Sequence, residues 1–175
     1  MIVVDFKAMR VAHFETVFGA LVRAKVRFLG VGGVAAIAHG VVRYTNDLDL
    51  VMAFDEANLR RGVEALESLG FKAKIPVNAE AFSKAENRRR WAEEKQMLVF
   101  QMALFSEDDL PIDIFIEPPF DFEEEFSRAF RCELAPDLFV PVVAVDRLIA
   151  MKRVAGRPRD LDDIAQLLRL RGATE

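Results

Sequence analysis

Residues 32–50 read GGVAAIAHGVVRYTNDLDL, a glycine pair followed, after thirteen residues, by two aspartates that alternate with leucines. A glycine pair at the start of a helix lets backbone N–H groups approach a ligand, and such groups bind phosphates. Alternate residues of a strand face opposite ways, so Asp47 and Asp49 share one face while the leucines enter the core. Carboxylates are ligands for hard divalent cations. The stretch therefore predicts a glycine turn, a helix and a strand that bring phosphates and a metal together.

A later apolar run, residues 112–116, contains one charged side chain, Asp113. A charge within an apolar strand needs a partner or a ligand. If this strand lies beside that of Asp49, three carboxylates converge, and they repel one another unless a cation such as Mg²⁺ is present. Two such ions about 4 Å apart stabilise the attacking and leaving oxygens of nucleotidyl transfer. Alone, Asp-x-Asp is typical of a strand start and Gly-Gly of a tight turn, so the combination carries the prediction.

The composition is that of a folded, soluble domain. A length of 175 residues corresponds to about one domain, and 52% hydrophobic with 30% charged residues excludes a disordered chain. The net charge of -4 gives no overall attraction to nucleic acid. A single cysteine excludes an internal disulfide, and no export signal or membrane span is visible. We therefore expect a cytoplasmic protein without membrane contact.

Hydrophobic periodicity predicts one α+β domain, residues 1–175, whose C-terminal part, about residues 145–170, is helical. The predicted helices are 8–25, 34–38, 56–69, 122–130, 145–155 and 160–170. The predicted strands are 27–30, 48–54, 71–75, 97–105, 112–116 and an extended stretch at 139–142. The short turn at 106–110 predicts an antiparallel hairpin between its two flanking strands.

Together these motifs resemble the nucleotidyltransferase superfamily that includes DNA polymerase β. Within it, the chain is most similar to the AbiEii-type toxins and minimal nucleotidyltransferases of bacterial toxin–antitoxin systems. Besides the motifs above, the likeness rests on Arg43-x-Thr45 and on residues 146–153 and 157–163. It extends from about residue 28 to residue 168. The resemblance implies a nucleotidyltransferase fold, a mixed β-sheet flanked by helices, with a short C-terminal helical region.

The resemblance also implies a reaction, in which a nucleoside monophosphate passes from a nucleoside triphosphate to a hydroxyl of RNA (such as tRNA), a protein or a small molecule. Two Mg²⁺ ions and an antitoxin partner belong to this expectation. The implied catalytic and metal-binding residues are Asp47, Asp49 and Asp113. The implied nucleotide-binding residues are Gly32, Gly33, Arg43, Thr45 and Lys152.

The chain departs from the superfamily pattern at Gly33, where many members have serine, so a hydroxyl that could contact phosphate is missing. It is also shorter than full AbiEii-type toxins. Structural roles for Arg43 and Thr45 remain open, as does a place for Lys152 on the solvent face of its helix. The basic segment 84–95 is either a solvated helix surface or a patch for RNA or another partner.

Two other functions are compatible with parts of the sequence. Gly30-x-Gly32-x-x-Ala35 matches the dinucleotide-binding fingerprint, with Asp49 about twenty residues later. In that fold, however, the acidic residue ends its strand, whereas Asp49 begins one. The third hypothesis is a catalytically silent nucleotidyltransferase fold that acts as a binding protein or antitoxin. The three aspartates argue against it, since a degenerate site has no reason to keep them together.

Overall fold

The computed structural model describes residues 11–104 and 109–173, and within them seven strands form one mixed sheet that eight helices accompany. The strands are β1 (Phe28–Val31), β2 (Leu48–Met52), β3 (Lys72–Ala73), β4 (Val99–Ala103), β5 (Ile112–Phe115), β6 (Phe130–Ala135) and β7 (Leu138–Val142). The helices are α1 (Val11–Arg23), α2 (Gly32–Ala38), α3 (Glu56–Glu67), α4 (Ala79–Ser83), α5 (Ala85–Lys95), α6 (Phe122–Ser127), α7 (Val145–Ala155) and α8 (Pro158–Gly172). The predicted α+β class is confirmed.

The strand order is β3-β4-β5-β2-β1-β7-β6, which places β2 at the centre of the sheet. Strand β2 runs antiparallel to β1 and parallel to β5. The predicted hairpin is confirmed, because β4 and β5 pair antiparallel; part of its turn, residues 105–108, lies outside the described residues. A dinucleotide-binding unit needs parallel first and second strands, so the antiparallel β1–β2 pair contradicts that alternative.

One face of the sheet forms the hydrophobic core. Two helices pack on this face through aromatic rings. Phe18 of α1 stacks on Phe28 of β1, with ring centroids 5.7 Å apart, and Phe82 of α4 stacks on Phe100 of β4, with centroids 4.4 Å apart. The central strands contribute Leu48, Leu50, Ile112 and Ile114, which have no exposed surface. As predicted from the alternation, Asp49 and Asp113 project from the opposite face. The same face also carries buried apolar side chains, Val51 and, opposite Asp49, Val31, so the aspartates lie at the border of a second apolar layer.

The sequence predictions differ from the structure mainly at short elements. The helix predicted over 122–130 ends at Ser127, because Phe130–Ala135 pairs with β7 as an unpredicted strand. Its hairpin turn contains Asp137 at φ +63, a conformation that aspartate tolerates. Helix α4 has only five residues, too few to show a period. The start predicted for α1 at residues 8–10 lies outside the described residues.

The basic segment forms α5, and part of it serves the fold. Arg88 is 5% exposed and donates hydrogen bonds to the carbonyl oxygens of Phe82 (2.9 Å) and Ser83 (2.5 Å), at the end of α4. Trp91 is also buried. These two side chains are therefore unavailable to a surface patch. In the described part of the chain, no helix is both long and apolar enough to cross a membrane.

Candidate active site

The turn between β1 and α2 lies against the carboxylate of Asp49. Gly32 has φ +60, in the left-handed region that favours glycine. A Cβ atom at Gly32 would lie 2.1 Å from Oδ2 of Asp49, so only glycine fits between the turn and the carboxylate. The backbone of the turn therefore lies directly against the side chain of Asp49.

Two of the predicted aspartates meet through strand register. Asp49 in β2 lies directly opposite Asp113 in β5, and both side chains are partly buried. Asp47 precedes β2, is exposed, and accepts a hydrogen bond from the hydroxyl of Thr45 at 2.8 Å. The structure therefore brings the three aspartates to the same end of the central strands, as predicted.

Burial, together with neighbouring negative charge, raises the pKa of two of these aspartates. Burial, and then the charges of Asp47 and Asp113, raise the pKa of Asp49 from 3.8 to about 7; Arg157 and Lys152 act in the opposite direction. Burial also raises the pKa of Asp113, with a contribution from Asp47. Such shifts mark a place where carboxylates are held together at a cost in free energy, as they are in many functional sites.

The donor chemistry of these carboxylates suits a hard divalent cation, which prefers oxygen ligands. Asp49 also has a turn backbone, rather than a bulky side chain, on one side. Within residues 11–104 and 109–173, however, no three His, Cys, Asp or Glu side chains already form a cluster ready to coordinate a metal. The residues fit a cation by type and location.

The second glycine of the turn, Gly33, lies close to the side chains of Thr45 and Arg43. A Cβ atom at Gly33 would lie 2.4 Å from Oγ1 of Thr45 and 3.4 Å from Nη2 of Arg43. Thr45 is buried, and its hydroxyl occupies the space where a side chain at Gly33 would begin. Arg43 donates to the backbone carbonyl of Tyr44 at 3.2 Å and forms a close ion pair with Asp163. The departure at Gly33 thus has a local steric reason.

Lys152 does not lie on the solvent face of α7, and that alternative is wrong. It is 4% exposed and donates to Asp163 at 2.7 Å, with Asp160 at 3.4 Å. Asp163 also pairs with Arg43, so one buried carboxylate joins two cations. This cluster connects α7 and α8 to the loop before β2.

Sequence reasoning missed Arg157 as a member of the site. Its side chain is 74% exposed and donates to Asp160 at 2.8 Å, while its backbone N–H donates to the same carboxylate at 3.2 Å. The hydrogen bond with Asp160 raises the pKa of Arg157, and the charges of Asp49 and Asp47 add to this effect. Arg157 begins segment 157–163, which contributes to the family resemblance, so the sequence did contain an indication of its role.

Gln101 was also missed. It lies opposite Asp113 across the β4–β5 pair, and its Nε2 donates to Oδ1 of Asp113 at 2.5 Å. The charge of Lys74, at the end of β3, counteracts the raised pKa of Asp113. The signal for Gln101 was present, since it is the one polar residue of β4, Val99–Ala103.

Comparison with known proteins gives the following similarities. The sequence model of the family described as nucleotidyl transferase AbiEii toxin, type IV TA system, matches residues 31–175. A solution structure of the antibiotic-resistance factor ANT(2'')-Ia has a TM-score of 0.54 and 16% identity, covering 92% of this chain and 81% of that one. A crystal structure of ANT(2'')-Ia in complex with adenylyl-2''-tobramycin has a TM-score of 0.52 and 14% identity, covering 94% and 95%. No curated protein matches the chain. At these identities the two structures show a shared fold.

Proposed function

Because the chain belongs to the family of nucleotidyl transferase AbiEii toxins of type IV toxin–antitoxin systems, we propose that it transfers a nucleoside monophosphate from a nucleoside triphosphate to an acceptor hydroxyl. Membership makes the chain a nucleotidyltransferase; the donor, the metal and the acceptor are the proposed parts. The observation that carries the proposal is the pairing of Asp49 with Asp113 beside the Gly32 turn.

In the proposed reaction the acceptor oxygen forms a bond to the α-phosphorus of the triphosphate. The bond between this phosphorus and the oxygen that bridges to the β-phosphate breaks, and pyrophosphate leaves. The proton of the acceptor hydroxyl passes to the carboxylate of Asp113, which we assign as the general base. Its position opposite Asp49 on the neighbouring strand supports this assignment.

We assign Mg²⁺ as the cofactor, with two ions held by Asp47, Asp49 and Asp113. The fit rests on the oxygen-only donor set and on the raised pKa of Asp49, which burial raises first and the charges of Asp47 and Asp113 raise further. When bound, the ions would neutralise the phosphate charge and the charge that develops on the reacting oxygens. The carboxylates themselves fix where the triphosphate lies relative to the sheet.

The remaining residues would hold the triphosphate. We assign the backbone N–H groups of Gly32 and Gly33 to the phosphates, since the turn is in contact with Asp49. Arg157 supplies the exposed cation of the site, whereas Lys152 contributes charge from a buried ion pair. Thr45 fills the space beside Gly33 and donates to Asp47, whereas Arg43 lies near Gly33 and pairs with Asp163, in agreement with the structural roles left open by the sequence.

The test follows label from each of the four α-³²P ribonucleoside triphosphates, with Mg²⁺, into the macromolecules of a cell extract. Wild type is compared with Asp47→Asn/Asp49→Asn, which keeps side-chain shape and removes two charges. Asp137→Asn, in the exposed β6–β7 turn, is the matched control, because asparagine also tolerates its φ of +63.

We expect label to be incorporated with wild type and Asp137→Asn, and to fall by at least about 100-fold in the double variant. Sensitivity of the product to nuclease or protease assigns the acceptor to RNA or protein, and label confined to the soluble fraction assigns a small molecule. A folded wild type that binds nucleotide without any transfer would instead support the silent binding protein.

The biological role that we propose is that of the toxin of a cytoplasmic toxin–antitoxin pair. The family match supports the toxin part of this proposal. Induced expression should arrest growth, Asp47→Asn/Asp49→Asn should not, and the neighbouring antitoxin gene should restore growth to wild-type cells. Growth arrest by the double variant at equal protein level would separate toxicity from nucleotidyl transfer.

A further inference from the structure

A row of polar side chains crosses the sheet on the face opposite the core. Asp49 in β2 lies opposite Asp113 in β5, and Asp113 lies opposite Gln101 in β4. Lys74, next to β3, donates its backbone N–H to the carbonyl oxygen of Gln101 at 2.9 Å. The row therefore continues from the predicted site to the edge of the sheet.

The contact between Gln101 and Asp113 has one chemically sensible orientation. An ionised carboxylate only accepts hydrogen bonds, so the glutamine must present its NH₂ group to it. Nε2 lies 2.5 Å from Oδ1, and both side chains are half-buried. The bond engages Oδ1 and fixes the plane of the carboxylate, which leaves Oδ2 to be presented to a ligand.

Gln101 is a poor choice for the strand on packing grounds alone. Its neighbours Phe100 and Met102 enter the core and have no exposed surface. A β-branched residue would suit a half-buried strand position better than a long amide, which loses rotamer freedom when it is held. An interaction with Asp113 accounts for the amide at this position.

We propose that Gln101 is a positioning residue, which orients Asp113 so that Oδ2 faces the ion that Asp113 shares with Asp49. This inference rests on the metal-binding role assigned to Asp113 under the proposed function. Groups that hydrogen-bond to a metal ligand commonly change metal affinity or activity about 10- to 100-fold when they are removed.

The experiment measures Mn²⁺ binding, so it needs neither turnover nor a known acceptor. Free Mn²⁺ is followed by electron paramagnetic resonance during titration of the full chain with a non-hydrolysable ATP analogue. The proteins are wild type, Asp113→Asn and Gln101→Met, which keeps the length of the side chain and removes the donor. Gln166→Met makes the same change at a half-buried position on α8 and serves as control.

We expect Asp113→Asn to lose one class of Mn²⁺ site, and Gln101→Met to bind that class about 10- to 100-fold more weakly. In Gln101→Met, the other class of Mn²⁺ site should stay within about two-fold of wild type, because Gln101 contacts only Asp113 among the assigned ligands. Gln166→Met should bind both classes within about two-fold of wild type, because it removes no contact to an assigned ligand. Unchanged binding in Gln101→Met, with a clear loss in Asp113→Asn, would overturn the positioning role and leave the proposed function intact.

If Asp113→Asn binds Mn²⁺ as wild type does, the metal-binding role of Asp113 fails, and the positioning role fails with it. Folding is checked by the thermal midpoint of each variant. Gln101→Val, a β-branched substitution without a donor, replaces Gln101→Met if the latter is not folded. Weaker Mn²⁺ binding at the Asp113 class of site, in folded Gln101→Met or Gln101→Val, supports the proposal.

Discussion

The carboxylate of Asp49 occupies the space that a side chain at Gly32 would need: a Cβ atom at Gly32 would lie 2.1 Å from Oδ2 of Asp49. No real Cβ atom lies that close to an oxygen, so a side chain at Gly32 must displace either the turn or the carboxylate. The φ of +60 at Gly32 adds a second reason for glycine, because L-residues are strained there. The conformation of the turn and the position of the Asp49 carboxylate therefore depend on each other.

We therefore predict that Gly32→Ala lowers nucleotidyl transfer by about 100-fold or more, because a displacement of about 1 Å at a reacting centre has effects of this size. The free energy of unfolding should fall by roughly 1–3 kcal/mol from backbone strain and overpacking. Transfer of label and urea unfolding measure the two effects.

Gly172→Ala is the matched control, since a Cβ atom there meets nothing within 4 Å. It should leave both the transfer rate and the unfolding free energy near wild-type values. Full activity in Gly32→Ala would mean that the observed contact with Asp49 is not needed for the reaction.

The neighbouring glycine leads to a prediction about the departure from the superfamily pattern. A Cβ atom at Gly33 would lie 2.4 Å from Oγ1 and 2.9 Å from Cβ of Thr45. Restoring the common serine, Gly33→Ser, should therefore lower the unfolding free energy by roughly 1–3 kcal/mol, because the site is already filled. Thr45→Gly should remove this overlap.

A double-mutant cycle of Gly33→Ser and Thr45→Gly, measured by urea unfolding, checks this explanation. The double variant should be more stable than the sum of the two single changes predicts, by roughly 1 kcal/mol or more. Additive changes would show that Thr45 is not what excludes a side chain at Gly33.

Much of this site follows from strand alternation and spacing. The alternation of aspartates with leucines places Asp49 on the face opposite the core, and the charge within an apolar strand correctly indicated Asp113 as its neighbour. The burial of Lys152 could not be predicted, because it depends on how α8 packs against α7 and brings Asp163 to it. Residues 130–135 escaped prediction because their strand exists only through pairing with β7.

The raised pKa of Asp49 predicts how stability depends on pH without metal. The folded-state pKa of about 7 lies above the ordinary 3.8, so the folded protein binds this proton more tightly. The contribution to stability is complete below about pH 4 and is lost as the pH rises through about 7. In EDTA, Asp49→Asn should therefore be more stable than wild type at pH 8, by up to roughly 4 kcal/mol.

Urea unfolding at several pH values, with and without Mg²⁺, measures this difference. The difference in unfolding free energy should disappear below about pH 4, where Asp49 is protonated in both the folded and the unfolded protein. At pH 8, Mg²⁺ should reduce the difference by stabilising wild type. Asp137→Asn keeps Asp49, so its unfolding free energy should follow that of wild type across this pH range. A wild type more stable than Asp49→Asn at pH 8 in EDTA would contradict the raised pKa.

The last prediction concerns the buried carboxylate of Asp163, which joins Lys152 and Arg43. All three groups are largely or fully removed from solvent: the exposed fractions of their side chains are 3%, 4% and 13%. Loss of the carboxylate breaks the ion pair of Arg43 and leaves Lys152 only its longer contact with Asp160, at 3.4 Å. Loss of Lys152, in contrast, leaves Asp163 paired with Arg43. The cluster should therefore respond asymmetrically to the two changes.

We predict that Asp163→Asn lowers the free energy of unfolding by roughly 3–5 kcal/mol, because Arg43 loses its ion pair and Lys152 keeps only the longer contact with Asp160. Lys152→Met should lower it by less, since its long apolar side chain fills the space and Asp163 keeps Arg43. Urea unfolding measures both, with Asp162→Asn, at the exposed neighbouring residue of α8, as control. The reverse order, with Lys152→Met the more damaging change, would show that Arg43 does not compensate the charge of Asp163.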